Sequence, residues 1–225
     1  MFFYDRNTHE SLWIHLHGLF SNVMGKKIEF LRDHFSQSKK FSFFAIDIEY
    51  ERTTTTQVLD FLETLIKGFS LEYDRIVLCG SSHGAYVVSN YLRFKELGNV
   101  KEVVLLAPSF ETLSLIKKHG GEGMDAWLEG KAELKIREKD REVIFSRYFA
   151  KDIVERGYEI LDEEKVNFPE NPPVEIKIVH GVEDEVIPVE RTRLFVSKVR
   201  VKTYIEVNDD HRLDRTIEEF IRVII

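Results

Sequence analysis

The stretch from Arg75 to Tyr86, RIVLCGSSHGAY, constrains the architecture of this chain more than any other. A short apolar run, Ile76 to Cys79, passes directly into Gly80-Ser81-Ser82-His83-Gly84. After the small Ala85, the positions Tyr86, Val87, Val88, Tyr91 and Leu92 take up helical spacing. A buried strand that turns abruptly into a helix is a junction of α/β domains, and G-x-S-x-G is the spacing of a nucleophile elbow. Its physical demand is that the serine sit on a strained turn, which leaves no room for side chains at Gly80 and Gly84. Ser82 then stands at the carboxyl end of a strand and the amino end of a helix. There the His83 amide can help hold a developing negative charge. The same five-residue pattern also fits an ordinary strand-turn-helix junction, so its chemistry depends on an acid, a histidine and a second N–H donor following in order.

Composition narrows the classes. The 225 residues, 43% hydrophobic and 12% aromatic, suffice for one sizeable core, and a single domain over 1–225 is expected. The net charge of -7, with no basic stripe interleaved with aromatics, argues against nucleic acid as a partner. Cys79 is the only cysteine, which excludes an internal disulfide and fits a reducing, cytoplasmic setting; within its strand it reads as a small buried hydrophobe. No apolar run approaches the roughly 18 residues of a membrane span. Composition leaves the oligomeric state open.

Taken in order, Leu12 to Leu16 is a near-continuous apolar run ending at His17-Gly18, as in a strand buried on both faces of a parallel sheet. Ile28, Phe30, Leu31 and Phe35 predict a helix, and Phe41 to Ile48 a second strand. Thr53 to Thr56 supply capping residues for the clearest helical stripe, Val58, Leu59, Leu62, Leu65, Ile66 and Phe69. The elbow strand and its helix follow, to about Leu97, and Val103 to Ala107 reads as a fourth strand. Between residues 110 and 174 only helical stretches are expected, at 111–118, 124–134 and 141–156, forming a small cap inserted over one end of the sheet. Glu175 to Val179 and Val201 to Val207 give a fifth and a sixth strand, with a helix at 191–199 between them and another from Leu213 to the end. The expected fold class is therefore α/β, with a sheet of about six mostly parallel strands, doubly wound.

Two loops complete a constellation. His180-Gly181-Val182-Glu183-Asp184-Glu185 leaves the carboxyl end of the fifth strand, and Asn208-Asp209-Asp210-His211 that of the sixth. Parallel sheets keep their chemistry at this edge. Serine, acid and histidine thus occur in the order 82, 184, 211.

With HGLFS at 17–21, GSSHG at 80–84, HGVEDEVIP at 180–188 and DDH at 209–211, the chain resembles the α/β-hydrolase superfamily over nearly its whole length, most closely its small esterases and thioesterases. The resemblance implies Ser82 as nucleophile, His211 as general base and later acid, and Asp184 as the group that orients the imidazole. It also implies an oxyanion hole from the backbone N–H groups of His83 and of Leu19 or Phe20, where one donor contributes about 3 to 4 kcal/mol. The implied activity is hydrolysis of a small-molecule ester or thioester, with no metal and no organic cofactor. A peptidase of the same fold and a non-catalytic binding protein are the alternatives.

Three departures from the family accompany these motifs. The chain begins at what would be the family's third strand, with the antiparallel edge reduced to Phe2 to Tyr4; the oxyanion loop has one glycine; and the acid stands between Glu183 and Glu185, with Asp209 or Asp210 as rivals. His15 and His17 have the spacing of a metal pair but lack an acidic or cysteine partner nearby; His17 reads instead as a brace for the oxyanion loop. His83 should point away from Ser82, and His180 reads as a hydrogen-bonded turn residue. Trp127, Phe145, Tyr148 and Phe149 read as cap core.

Overall fold

A computed structural model describes residues 1–120, 122–138 and 141–225. Seven strands form one sheet: β1 (Phe2–Asp5), β2 (Ser11–Leu16), β3 (Ser42–Ile46), β4 (Arg75–Ser81), β5 (Val100–Leu106) and, after the inserted segment, two more. Between the first five lie α1 (Lys26–Ser38), α2 (Thr55–Phe69) and α3 (His83–Phe94). The inserted segment carries α4 (Thr112–His119), α5 (Met124–Leu128), the pair β6 (Leu134–Glu138) and β7 (Arg141–Phe145), α6 (Arg147–Arg156), and the short pair β8 (Leu161–Asp162) and β9 (Lys165–Val166). The chain then returns as β10 (Glu175–Gly181), α7 (Val189–Lys198), β11 (Thr203–Val207) and α8 (Ile217–Ile224). The sheet order is β1-β3-β2-β4-β5-β10-β11, parallel throughout except for β1, which runs antiparallel to β3 at one edge. The antiparallel edge strand β1 runs through Asp5, one residue beyond the expected Phe2 to Tyr4.

Alternation along the strands sorts residues into two layers. Leu12, Ile14, Ile76, Leu78, Val103 and Leu105 join the apolar cluster under α2 and α3, whereas Trp13, Val77, Cys79, Val104 and Leu106 join the one under α1 and α8. Both sets are fully buried, which is why the strands read as unbroken apolar runs. At α2 the expected cap is realised as a capping box: Thr54 accepts from the Gln57 N–H while the Gln57 side chain accepts from the Thr54 N–H. From His83 to Leu92 helix α3 is buried on every side, between the sheet and the inserted segment. Asn90 Nδ2 bridges that contact, donating to the Tyr158 carbonyl at 3.0 Å.

The inserted segment differs from the all-helical expectation. Residues 129–134 do not extend α5, and 141–145 form a strand rather than the start of a helix. The reason is period-two burial, with Leu134, Ile136, Val143 and Phe145 turned inward onto Trp127 and Phe149. Those three aromatics belong to the same apolar cluster as strands β4 and β5, while Tyr148 is exposed. No helix among the described residues is long and apolar enough to cross a membrane.

Candidate active site

Ser82 sits between β4 and α3 with φ 54° and ψ -116°, a backbone state that costs a non-glycine residue roughly 1–3 kcal/mol. Its neighbours hold it there. The Ser82 N–H donates to the Leu106 carbonyl at 2.9 Å, and the Ser82 carbonyl accepts from Ser109, Ala85 and Tyr86 N–H groups. Glycine flanks the turn for want of space: a Cβ at Gly84 would lie 2.3 Å from the Leu16 carbonyl oxygen, and one at Gly80 2.3 Å from that of Gly84.

Two further strand ends bring partners to this serine. His211 Nε2 is 3.0 Å from Ser82 Oγ, and His211 Nδ1 is 2.7 Å from Asp184 Oδ2. Asp184 is held on its other oxygen by the Val186 and Ile187 N–H groups at 2.9 and 2.8 Å. Burial opposes its ionisation, but hydrogen bonds from His180 and His211 outweigh it and hold the carboxyl well below the ordinary aspartate range. His180, a hydrogen-bonded turn residue by its sequence context, also contacts the acid. Its Nε2 lies 3.1 Å from Asp184 Oδ2 and 3.0 Å from the Ile187 carbonyl, two acceptors that make it an N–H donor. Its Nδ1 rests on Thr192 Oγ1 at 2.7 Å. The spacing of four between His180 and Asp184 was the available signal.

The rival acids have other duties. Asp209 is fully buried and accepts from the N–H groups of Asp210, Arg215 and Thr216 and from the Arg215 and Thr216 side chains, which folds the loop carrying His211. Glu183 pairs with Arg215 on the surface at 2.6 Å, and Glu185 is exposed.

On the opposite flank, Gly18 approaches the nucleophile so closely that a Cβ there would lie 3.1 Å from Ser82 Cβ. His17 accepts from the Ile48 N–H at Nε2 (3.0 Å), so its Nδ1–H donates to the Gly18 carbonyl at 2.8 Å. The Leu19 and Phe20 N–H groups donate to no acceptor among the described residues, and Phe20 has φ 62°. The His83 N–H, in the first turn of α3, has no intrahelical acceptor either. The His83 ring points away from Ser82, edge-on to Tyr50 at 4.6 Å with Nδ1 3.1 Å from Thr112 Oγ1, and burial pushes its pKa down to about 3. His15 lies on the other side of the sheet, with Nε2 3.4 Å from Ser81 Oγ.

A seven-stranded sheet of this order, with a strained serine after β4 and acid and histidine after β10 and β11, defines an α/β-hydrolase fold. Within it, the chain belongs to the Uncharacterised protein family (UPF0227), whose model matches residues 12–225. Among solved structures, Est1E from Butyrivibrio proteoclasticus with ferulic acid bound aligns with TM-score 0.74 and 16% identity, covering 100% of this chain and 92% of that one. Mouse alpha/beta hydrolase domain-containing protein 10 aligns with TM-score 0.72 and 16% identity (99% and 91% covered). A monoacylglycerol lipase from Paleococcus ferrophilus aligns with TM-score 0.68 and 17% identity (100% and 96% covered). Likeness at these identities establishes the fold. A comparison with curated proteins by sequence finds no match.

Proposed function

We propose that the protein is a serine hydrolase that cleaves carboxylic ester or thioester bonds through an acyl-enzyme. The observation that carries this reading is the hydrogen-bond chain from Ser82 Oγ through His211 to Asp184, at 3.0 and 2.7 Å. Ser82 Oγ attacks the substrate carbonyl as its proton passes to His211 Nε2. The ionised Asp184 fixes the tautomer, with Nδ1 protonated, and stabilises the imidazolium that forms. The N–H groups of His83 and Leu19, neither with an acceptor among the described residues, hold the oxyanion. Collapse breaks the bond to the alcohol or thiol, which takes the proton from Nε2. A water molecule then attacks the acyl-enzyme, gives its proton to the same nitrogen, and the acid departs as Ser82 recovers its hydrogen. The likeness in fold to a monoacylglycerol lipase agrees with ester chemistry.

The test is labelling with a fluorophosphonate and location of the adduct by mass spectrometry. A stoichiometric adduct on Ser82, absent in Ser82→Ala and much slower in His211→Ala, is expected. Folded wild-type protein that forms no adduct would overturn the reading and leave a binding protein in its place.

A further inference from the structure

The two N–H groups assigned to the oxyanion come from distant parts of the chain, Leu19 from the loop after β2 and His83 from the first turn of α3. The β2–β4 ladder ends at Leu16 and Gly80, and no hydrogen bond among the described residues ties Leu19 or Phe20 to the elbow. Packing must therefore set the separation of the two donors.

Six side-chain rings form a collar that can do so. His17, which braces the loop through the Gly18 carbonyl, lies edge-on to Tyr50 at 5.2 Å, and Tyr50 lies edge-on to His83 at 4.6 Å. His83 also stacks with Phe149 at 6.1 Å. Phe149 meets Phe145 edge-on at 5.1 Å, and Phe145 meets Phe20 edge-on at 6.0 Å. Phe20 returns to His17 through Gly18 and Leu19, which closes the collar around one of the two donors. All five separations lie in the range of favourable aromatic pairs. The Ser146 N–H, donating to the Glu51 carbonyl at 2.7 Å, ties the end of β7 to the turn Tyr50–Arg52 and so joins the two arcs. Phe20 is only half-buried while the other five residues are buried, and it is a bulky residue with φ 62°. Such a backbone state persists only where its surroundings hold it, and the ring of Phe145 supplies that hold.

The geometry points to Tyr50 and Phe145 as positioning residues of the oxyanion hole: through His17 and Phe20 on one flank and His83 on the other, the collar fixes the Leu19 and His83 N–H groups relative to each other. The inserted segment then serves the rate of reaction as well as covering the sheet. This inference rests on the hydrolase reading above and deepens it.

Kinetics of variants of the full chain test it. Phe145→Leu keeps apolar bulk and removes the ring edge against Phe20. It should lower kcat for p-nitrophenyl butyrate by about tenfold to a hundredfold, the range expected for a misplaced donor. KM should stay within about twofold, because the hole acts on the transition state. Tyr50→Leu should behave alike, and Tyr50→Phe should restore most of the loss, since the Tyr50 hydroxyl has no partner among the described residues. A butyl trifluoromethyl ketone reports on the hole directly. Ser82 Oγ adds to its carbonyl carbon, the serine proton goes to His211 Nε2, and the carbonyl oxygen becomes the anion. Its inhibition constant should rise in proportion to the fall in kcat/KM. Ile136→Val is the control for a loosened core, being buried in the same hairpin and outside the collar; it should leave kcat unchanged. Phe20→Leu combined with Phe145→Leu should lose no more than the worse single variant, as expected of two residues acting through one contact.

A kcat for Phe145→Leu no lower than for Ile136→Val, additive losses in the double variant, or an unchanged inhibition constant would overturn the collar. If wild-type Ser82 forms no fluorophosphonate adduct, the hydrolase reading fails first. An adduct with kcat untouched in Phe145→Leu and Tyr50→Leu sinks only the collar.

Discussion

Gly181 and Asp209 meet backbone to backbone: a Cβ on Gly181 would lie 2.2 Å from the Asp209 carbonyl oxygen. The contact joins the end of β10, which leads to Asp184, to the loop after β11, which leads to His211. Glu183 N–H reinforces it, donating to the same carbonyl at 3.0 Å. Gly181→Ala should therefore push apart the two loops that set the 2.7 Å bond between His211 and Asp184. We expect about 1–3 kcal/mol of destabilisation from the forced shift and a larger proportional loss of kcat. Chemical denaturation and ester turnover measure the two. Gly68→Ala is the control, because nothing lies within 4 Å of its Cβ position in α2; it should stabilise by about 0.5–1 kcal/mol.

Asp184→Asn keeps the size of the side chain but not its acceptors. The amide cannot accept from the Val186 and Ile187 N–H groups and from both His180 and His211 as the carboxylate does. Loss of the tautomer bias on His211 should lower kcat by about 10⁴-fold with little change in KM. The carboxyl's depressed pKa means the native state favours its ionised form, so its contribution to stability is present above the ordinary aspartate value and lost only as pH falls through the lower folded value. Urea titrations at neutral and strongly acid pH should show the wild-type advantage over Asp184→Asn shrink only in the acid range.

Much of this site is legible in the sequence because its parts are local. GSSHG, the two HG junctions and DDH are each set by a few neighbouring positions, and the strands before them are apolar on both faces because the sheet is covered on both sides. What the sequence leaves open are contacts between distant residues. Asp184 differs from Glu183, Glu185 and Asp209 only in that it meets His211, 27 positions away, which no local pattern encodes. The pair β6 and β7 is hidden for another reason. LKIRE is only five residues long, and REVIF places its two charges side by side at 141 and 142 before the apolar Val143, Ile144 and Phe145, so neither alternates for long enough to be told from a helix.

Trp127 organises the inserted segment and should be its most costly truncation. It is fully buried, packs against Phe145 and Phe149 at 5.7 and 6.0 Å, and donates from Nε1 to the Ser146 carbonyl at 3.0 Å. Trp127→Ala should cost about 3–5 kcal/mol, read as a lower denaturation midpoint. Trp127→Phe, which retains the ring stack and loses one hydrogen bond, should recover most of it.

Glu159 carries the clearest pH signature outside the site. Its two carboxylate oxygens accept from the Thr112 and Leu113 N–H groups at 3.0 and 2.6 Å, capping α4 from a point 46 residues away. Burial is the largest influence and pushes its pKa up to about 7, against those two bonds and the pull of Lys117, with Asp162 adding to the rise. A carboxyl whose pKa is higher folded than unfolded leaves the native state holding more protons between the two values. Stability from this group is therefore present at acid pH and declines as pH rises from the ordinary glutamate range through about 7. Glu159→Gln mimics the protonated form, so it should match wild type below the ordinary glutamate range, gain on it as pH rises from there to about 7, and keep that gain at higher pH. Thermal unfolding across that range measures the difference. A stability gap that stays constant with pH would show that Glu159 titrates in its ordinary range. Since Thr112 also touches His83 Nδ1 at 3.1 Å, the same titration should reach the elbow, as a KM that drifts across neutral pH in wild type and not in Glu159→Gln.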